Sequence, residues 1–220
     1  TITVQLKDAS GDDLIFGDDT VVLSTTLGSL SAVTDNDDGS YTATLTSSTA
    51  VGTATVSGTV NGADITDDAT VVMSSGVASG ATSEITASTT SMKANGTTTS
   101  TITVDLNDTN DNDVPVGGDD VELSTTLGTL SSVTDNDDGT YTATLTSGTT
   151  AGTATITGTV NDEDITDDAT VTLTALVADV DESSVTASPT SIEADGSTTS
   201  TITVQLTDED GEDHEAPPRH

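Results

Sequence analysis

The chain has 220 residues and a formal net charge of −35, with 38 acidic residues against three Lys and Arg. Such a charge excludes binding to nucleic-acid phosphates or to an anionic membrane surface. The sequence contains no Cys, which excludes disulfides and thiolate metal sites, and no apolar run approaches the ~20 residues of a membrane-spanning helix.

A repeat with a period of 100 residues organises the chain. Residues 1–75 align without a gap with 101–175 and share 49 identities, and 81–108 align in the same way with 181–208. This period is too long for a solenoid and fits one β-sandwich. We therefore predict a module without its first strand at 1–76, a complete module at 77–176, and the opening strands of a third module plus a non-repeat tail at 177–220. The chain begins at Thr1 without a Met or a signal peptide, which predicts a fragment or a mature product.

Alternating apolar and polar residues indicate half-buried strands, although a low apolar content and a large charge are typical of disorder. The alternation predicts seven strands in the complete module, near 84–92, 100–107, 120–126, 129–133, 140–147, 152–160 and 168–174. The side chains predicted to face inward are Ile102, Val104, Leu106, Val121, Leu123, Tyr141, Ala143, Leu145, Ala154, Ile156, Val160, Ala169, Val171 and Leu173. The fold class is therefore all-β, with tandem Ig-like β-sandwich modules of about 100 residues.

Tyr141 follows an Asp-Asp-Gly-Thr turn, with the spacing of the tyrosine corner in Ig domains. In that fold only one strand follows the tyrosine strand, whereas two strands are predicted to follow Tyr141. A role in the core is therefore the favoured interpretation, and a true tyrosine corner is the alternative.

The acidic residues are concentrated in particular loops. In a sandwich whose strands alternate in direction, the loops after the second, fourth and sixth strands share one pole. In the first two modules these loops contain 24 of the 27 acidic residues that precede residue 179. The loops of the opposite pole, such as 147–152, are neutral. Because like charges at this density repel one another, the acidic loops favour the binding of cations.

Two interpretations of the acidic loops remain open. Carboxylates on loops are hard-oxygen ligands suited to Ca²⁺, which at the module joints would stiffen a rod of modules. Alternatively, they form the solvated surface of a salt-adapted protein. No loop has the spacing of an EF-hand or of a calcium-binding nonapeptide repeat. The candidate calcium ligands are Asp108, Asp111, Asp113, Asp135, Asp137, Asp138, Asp162 and Asp164, and in the first module Asp8, Asp12, Asp35, Asp37 and Asp64.

The sequence predicts that the chain is not an enzyme. The two histidines, His214 and His220, both lie in the tail, and no Cys or internal His is available for nucleophilic or acid–base catalysis. Clustered Asp could serve a glycosidase, but a carboxylate in every acidic loop of a repeat indicates a surface.

Two long segments resemble a known family. The segments ASPTSIEADGSTTSTITVQLTDEDG (187–211) and LSTTLGTLSSVTDNDDGTYTATLTSGTTAGTATITGTV (123–160) are similar to the bacterial Ig-like domain group 1. This group comprises the intimin/invasin-type repeats of large bacterial surface adhesins. The resemblance implies an Ig-like sandwich repeated in a rod that carries an adhesive tip, an extracellular location at the cell surface, and no enzymatic activity. It also implies that most modules are spacers and that terminal modules bind receptors.

The sequence departs from the family in two places. A turn that usually reads DANGNPV is more acidic here, DASGDDL at 8–14 and DTNDNDV at 108–114. The tail HEAPPRH at 214–220 leaves the repeat entirely.

Three functions are compatible with this pattern. The first is a spacer in a long adhesin, whose partners are the neighbouring modules of the same chain. The second is a filament subunit, in which a neighbouring copy donates the strand that the first module lacks. The third is a module that binds a receptor or a glycan, which the scarcity of aromatic residues disfavours.

Overall fold

The computed structural model describes residues 1–208, which form strands joined by turns and loops. These residues contain no helix long and apolar enough to cross a membrane. The prediction of an all-β fold is confirmed. The strands of the first repeat are β1 (Ile2–Gln5), β2 (Val21–Thr25), β3 (Ser29–Leu30), β4 (Thr34–Asp35), β5 (Ser40–Ala43), β6 (Leu45–Thr46), β7 (Gly52–Val60), β8 (Ala63–Asp64) and β9 (Ala69–Met73).

The second repeat contains a complete two-sheet sandwich. Its strands are β10 (Glu84–Ala87), β11 (Ser91–Lys93), β12 (Thr99–Asp105), β13 (Val121–Thr125), β14 (Thr129–Leu130), β15 (Thr134–Asp135), β16 (Thr140–Thr146), β17 (Gly152–Val160), β18 (Glu163–Asp164) and β19 (Ala169–Thr174). One sheet has the order β10-β12-β16-β14, with β15 also on β16. The other has the order β11-β19-β17-β13, with β18 also on β17.

The strand predicted as continuous near 84–92 is two strands, which corrects that prediction. β10 pairs antiparallel with β12 in one sheet, and β11 pairs parallel with β19 in the other. Residues 88–90 carry the chain between the sheets, and the Ser88 backbone N–H still donates to the Thr101 carbonyl. The first strand therefore closes both sheets of the sandwich.

The core of the second repeat lies between the two sheets. All the side chains predicted to face inward are buried there, except Leu123, which is partly buried against the same cluster. The outward positions are mostly Thr, a residue that favours strands and tolerates water on one face. Alternation along each strand therefore identifies the core directly.

The first repeat has counterparts of the strands of the second from β12 onward, with β5 and β6 in place of β16, but no counterpart of β10 or β11. In the described residues β1 pairs only with β5, and β9 pairs only with β7. The consequence is visible at aligned positions: Val171 is fully buried, whereas Val71 is 37% exposed. The cover that β10 and β11 provide is what buries this part of the second module.

The third repeat is described as a hairpin of β20 (Ala178–Ser188) and β21 (Thr201–Asp208). Its apolar residues Val185, Ile202 and Val204 are exposed, although their counterparts in the second module are buried. The tail at 214–220 lies outside the described residues.

Candidate functional site: the acidic pole and the module joint

Three acidic loops of the second module meet at one end of the sandwich, and we call them the acidic pole: residues 106–120, 134–139 and 161–168. The Gly118 backbone N–H donates to Asp135 Oδ2 at 2.8 Å, which joins the first two loops. The Leu106 N–H donates to the Gly139 carbonyl at 3.1 Å. The grouping predicted from strand directions is therefore the one that the fold produces.

Asn161 joins the third loop to the first. Its side-chain oxygen accepts from the Asp120 N–H at 3.0 Å, and its amide donates to Asp119 Oδ1 at 2.6 Å. Asn61 makes the equivalent contacts with Thr20 and Asp19 in the first module. An Asn side chain therefore joins the first and third acidic loops in both modules, and the pattern of acidic residues gives no indication of it.

The negative charges of the loops act on one another at this pole. The pKa of Asp105 is raised by partial burial and then by the negative charges of Asp113 and Asp138, which belong to two different loops. Loops that are distant in the sequence therefore share one electrostatic environment.

Most of the candidate calcium ligands are exposed, and several accept hydrogen bonds from their own turns. Asp138 accepts from the N–H and the hydroxyl of Thr140, which lower its pKa. Asp135 and Asp35 accept backbone N–H groups from two loops each. The exposed remainder either adopt positive φ (Asp37, Asp111, Asp137 and Asp162), lie on short strands (Asp64 and Asp164), or lie on the first acidic loop of each module (Asp8, Asp12 and Asp113).

The candidate ligands do not assemble into a metal site in the described part of the chain. Within residues 1–208 no group of three or more Asp, Glu or His side chains is arranged so that it could hold a metal ion. A Ca²⁺ site takes 6–8 oxygen ligands, and the carboxylates of the described residues are not gathered into such a set. Calcium binding at the module joints stays a prediction.

Asp108 is the buried member of the set, with 3% of its surface exposed. Its carboxylate accepts from the Gly76 N–H at 2.8 Å, from the Asn112 side chain at 3.0 Å, and from the Asn110 N–H at 2.8 Å. The Gly76 and Asn112 groups contribute most to lowering the pKa of Asp108 to about 2. The stability that this carboxylate contributes is present above about pH 4 and is lost as the pH falls through its folded pKa.

The acidic pole of the second module contacts the preceding module. Asn112 Nδ2 donates to the Thr49 carbonyl at 2.8 Å, and the Val51 N–H donates to Asn112 Oδ1 at 3.3 Å. Thr49 and Val51 belong to the neutral loop between β6 and β7. Gly76 belongs to the linker between β9 and β10, so Asp108 also holds the linker. We call this set of contacts the module joint.

Tyr141 has a structural role at the acidic pole. Its ring is buried, and its hydroxyl accepts from the Asp119 N–H at 2.9 Å. The partner is 22 residues upstream in another loop, and two long strands, β17 and β19, follow Tyr141. The residue is therefore a core side chain that anchors a loop, because a tyrosine corner would bond a few residues upstream.

We expect the two tyrosines to ionise late and to destabilise the fold when they do. Burial, followed by the nearby carboxylates, raises the pKa of Tyr141, and burial likewise raises the pKa of Tyr41. A raised folded pKa means that the contribution to stability is intact below about pH 10 and is lost as the pH rises through the folded value. The tyrosinate absorbance of the native chain should therefore rise at higher pH than that of the chain in concentrated urea. Coincident titrations would contradict the buried environment of the tyrosines. The sequence has no Trp, so no indole absorbance overlaps that of tyrosinate.

The fold and its repeats define the class of protein: tandem Ig-like β-sandwich modules with acidic loops at one pole. The family model for invasin, domain 3, matches residues 1–76 and 79–176. The chain therefore belongs to this family of intimin/invasin-type domains. Because these are domains of non-enzymatic adhesins, the prediction that the chain is not an enzyme is confirmed.

Solved adhesin structures resemble the chain along most of its length. FdeC, an Escherichia coli adhesin, is 27% identical with a TM-score of 0.60, over 95% of this chain and 68% of that one. Yersinia pseudotuberculosis InvD is 27% identical with a TM-score of 0.57, over 96% of this chain and 65% of that one. Invasin, a bacterial integrin-binding protein, is 31% identical with a TM-score of 0.48, and the chain spans 43% of its length.

Proposed function

We propose that the chain is a run of spacer modules in a bacterial surface adhesin, which hold a more distal binding region away from the cell. The observation that carries this proposal is the module joint, where the neutral loop of one module contacts the acidic pole of the next. Such contacts give the modules an end-to-end arrangement. The family supports a surface adhesin, and the spacer role and the extracellular location are our inference from it.

The path of the chain through the second module also supports a spacer. The chain enters beside the acidic pole, where Ala78 pairs with Asp108. It leaves at the other end, where the Ala94 N–H donates to the Thr174 carbonyl and the Gly96 N–H donates to the Gly148 carbonyl. Because entry and exit lie at opposite poles, each added module extends the array.

Small-angle X-ray scattering of the full chain tests this proposal. A compact globule of this length has a radius of gyration of about 17 Å. In the first two modules the longest strands have nine residues, at about 3.3 Å per residue. Modules of this length placed end to end give a radius of gyration of roughly 25–30 Å. Sedimentation velocity on the same sample provides the control for oligomers, which would also raise the radius. A monomer with a radius near that of a globule would contradict the spacer.

The calcium prediction is tested by thermal unfolding of the full chain. Extracellular modules bind Ca²⁺ at roughly 10⁻⁴–10⁻³ M, and a ligand that binds the native state raises the melting temperature. Because the carboxylates are not assembled into a site, we expect Ca²⁺ and Mg²⁺ to give equal small responses at fixed high NaCl. A saturable rise specific to Ca²⁺ would instead support cation-stiffened joints.

Strand donation between copies is a second candidate, which one observation favours. The outer edges of β1 and β9 carry no paired strand within residues 1–208, and Val71 on β9 is 37% exposed although the aligned Val171 is buried. In the second module β10 and β11 cover these edges. The segment at 181–193 aligns with both strands, so another copy could supply the missing cover.

Sedimentation velocity over a wide range of protein concentrations tests strand donation. Assembly in a filament predicts species that grow with concentration, and a charge-matched variant with Val185→Thr and Ile192→Thr should remain smaller. A monomer at every concentration would contradict the filament and leave the spacer unaffected.

A further inference from the structure

The side chain of Asn112 links the two modules through both of its polar atoms. Its Nδ2 donates to the Thr49 carbonyl, and its Oδ1 accepts from the Val51 N–H. One amide thus contacts the backbone of the neighbouring module as donor and as acceptor. A paired contact of this kind fixes an angle as well as a distance, because both bonds depend on the direction of the amide plane.

Asp108 holds the Asn112 amide in this position. Asn112 Nδ2 lies 3.0 Å from each carboxylate oxygen of Asp108, so one amide hydrogen is shared between them while the other serves Thr49. The backbone adds two bonds, from the Asp108 N–H to the Asn112 carbonyl and from the Asn112 N–H to Asp108 Oδ1. Hydrogen bonds to a charged acceptor are stronger than neutral ones, so the amide has one favoured orientation.

The same carboxylate also holds the linker between the modules. Gly76 lies in the short segment between β9 and β10, and its N–H donates to Asp108 Oδ2 at 2.8 Å. The Asp108 backbone pairs with Ala78, which lies in the same segment before β10. The linker and the inter-module contact are therefore fixed to one buried group.

The oxygen atoms around Asn112 resemble part of a cation site. Three oxygens, two from Asp108 and one from Thr49, surround the amide nitrogen at 2.8–3.0 Å. Elsewhere such oxygens hold Ca²⁺. Here the hydrogens of a neutral amide supply the positive partner, so the joint needs no ion.

The amide is particular to this joint. The aligned residue is Asp12 in the first module and Glu212 in the third, and Glu212 lies outside the described residues. Asp8 holds its own loop through the Ser10 and Asp12 N–H groups, as Asp108 holds its loop, but no amide side chain is present at residue 12. Loop geometry is thus shared by the modules, and the contact to a neighbour depends on Asn112.

We propose that Asn112, held by Asp108, is a metal-free clamp that fixes the angle between the first and second modules. This inference rests on the proposed spacer function, because a spacer with fixed angles between its modules holds its far end at a fixed distance. The clamp makes stiffness a property of the residue at one loop position, so joints with Asn and joints with an acid at that position differ in mobility.

Distances between spin labels on the two modules test the clamp in the full chain. The chain has no Cys, so Thr70→Cys and Thr170→Cys, at exposed aligned positions on β9 and β19, carry the only labels. Double electron–electron resonance is measured on this background, on Asn112→Asp, on Asn112→Ala, and on Asp12→Asn as the matched control. Each sample is measured with EDTA and with Ca²⁺, and thermal unfolding confirms that the modules remain folded.

We expect a narrow distance distribution for the background and for Asp12→Asn, unchanged by Ca²⁺. Asn112→Asp places a carboxylate against Asp108 and the Thr49 carbonyl, and Asn112→Ala removes both bonds. Both variants should broaden the distribution at least twofold in EDTA. Unchanged narrow distributions in both variants would overturn the clamp and leave the spacer standing. A broad background distribution would overturn the fixed joint itself, and with it the rigid spacer. Broadening by EDTA of the unsubstituted joint would show a cation-dependent joint and overturn the metal-free clamp.

Discussion

Replacing Ile102 with Ala is expected to lower the free energy of unfolding of the second module by about 3–4 kcal/mol. Ile102 is fully buried in the core cluster, where β10, β12 and β16 are paired. Truncation removes three methyl or methylene carbons from contact and leaves a cavity that a two-sheet core closes poorly. The loss exceeds what ordinary surface substitutions cause, and it is large against the stability of a domain of this size.

The matched control is Ile2→Ala, at the aligned position of the first module. Both isoleucines lie in the sequence Thr-Ile-Thr-Val, but Ile2 is only partly buried, since β1 lacks a partner on its outer edge in the described residues. We expect a loss of about 1 kcal/mol there, in proportion to the smaller buried area. Urea denaturation monitored by nuclear magnetic resonance gives the free energy of unfolding of each module separately. Equal losses at the two positions would show that the first module is as closed as the second.

The same pair of residues shows how far the sequence could predict the core. Alternation identifies which face of Thr-Ile-Thr-Val points inward, and it does so identically at residues 2 and 102. The degree of burial is not encoded in that segment, because it depends on whether β10 lies alongside. The core positions were therefore predictable, and their burial depended on a strand elsewhere in the chain.

The third repeat contains a residue that indicates the division of the first strand into β10 and β11. Thr89 lies in the segment 88–90 between β10 and β11, and Pro189 occupies the aligned position in the third repeat. A Pro lacks the N–H that a continuous strand needs, so it favours a break at that column. The pattern within the second module hides the break, because Thr is itself a strand former.

The acidic pole was predictable as a location but not as a chemical arrangement. Strand directions bring the three loops together, and the count of acidic residues shows where the charge lies. Whether the carboxylates face a common centre depends on turn geometry. Asp135, for example, is used to bind the Gly118 N–H. The Asn112 contact to Thr49 joins residues 63 positions apart and depends on how two modules meet, which composition does not reveal.

Substituting Gly139 with Ala is expected to destabilise the second module by at least about 3 kcal/mol, because two costs combine. Gly139 has a φ of +87°, which is strained for any residue with a Cβ. A Cβ at this position would also collide with the Val114 backbone carbonyl, and Val114 is itself held by the bond from its N–H to the Leu106 carbonyl. The substitution therefore separates two loops of the acidic pole as well as straining one turn.

Gly118→Ala is the matched control for the collision. Gly118 lies at the same pole with a φ of +105°, but a Cβ there would meet open space. Its substitution should cost only the conformational strain of about 1–2 kcal/mol. Thermal and urea unfolding of both variants measure the difference, and hydrogen exchange of the Leu106 N–H, which donates to the Gly139 carbonyl, reports where the damage lies. If the two glycines prove equally tolerant, the close approach of the two loops at Val114 is wrong. If Gly139→Ala alone is severely destabilised and loses protection at Leu106, the contact between these loops is what holds the acidic pole in shape for the module joint.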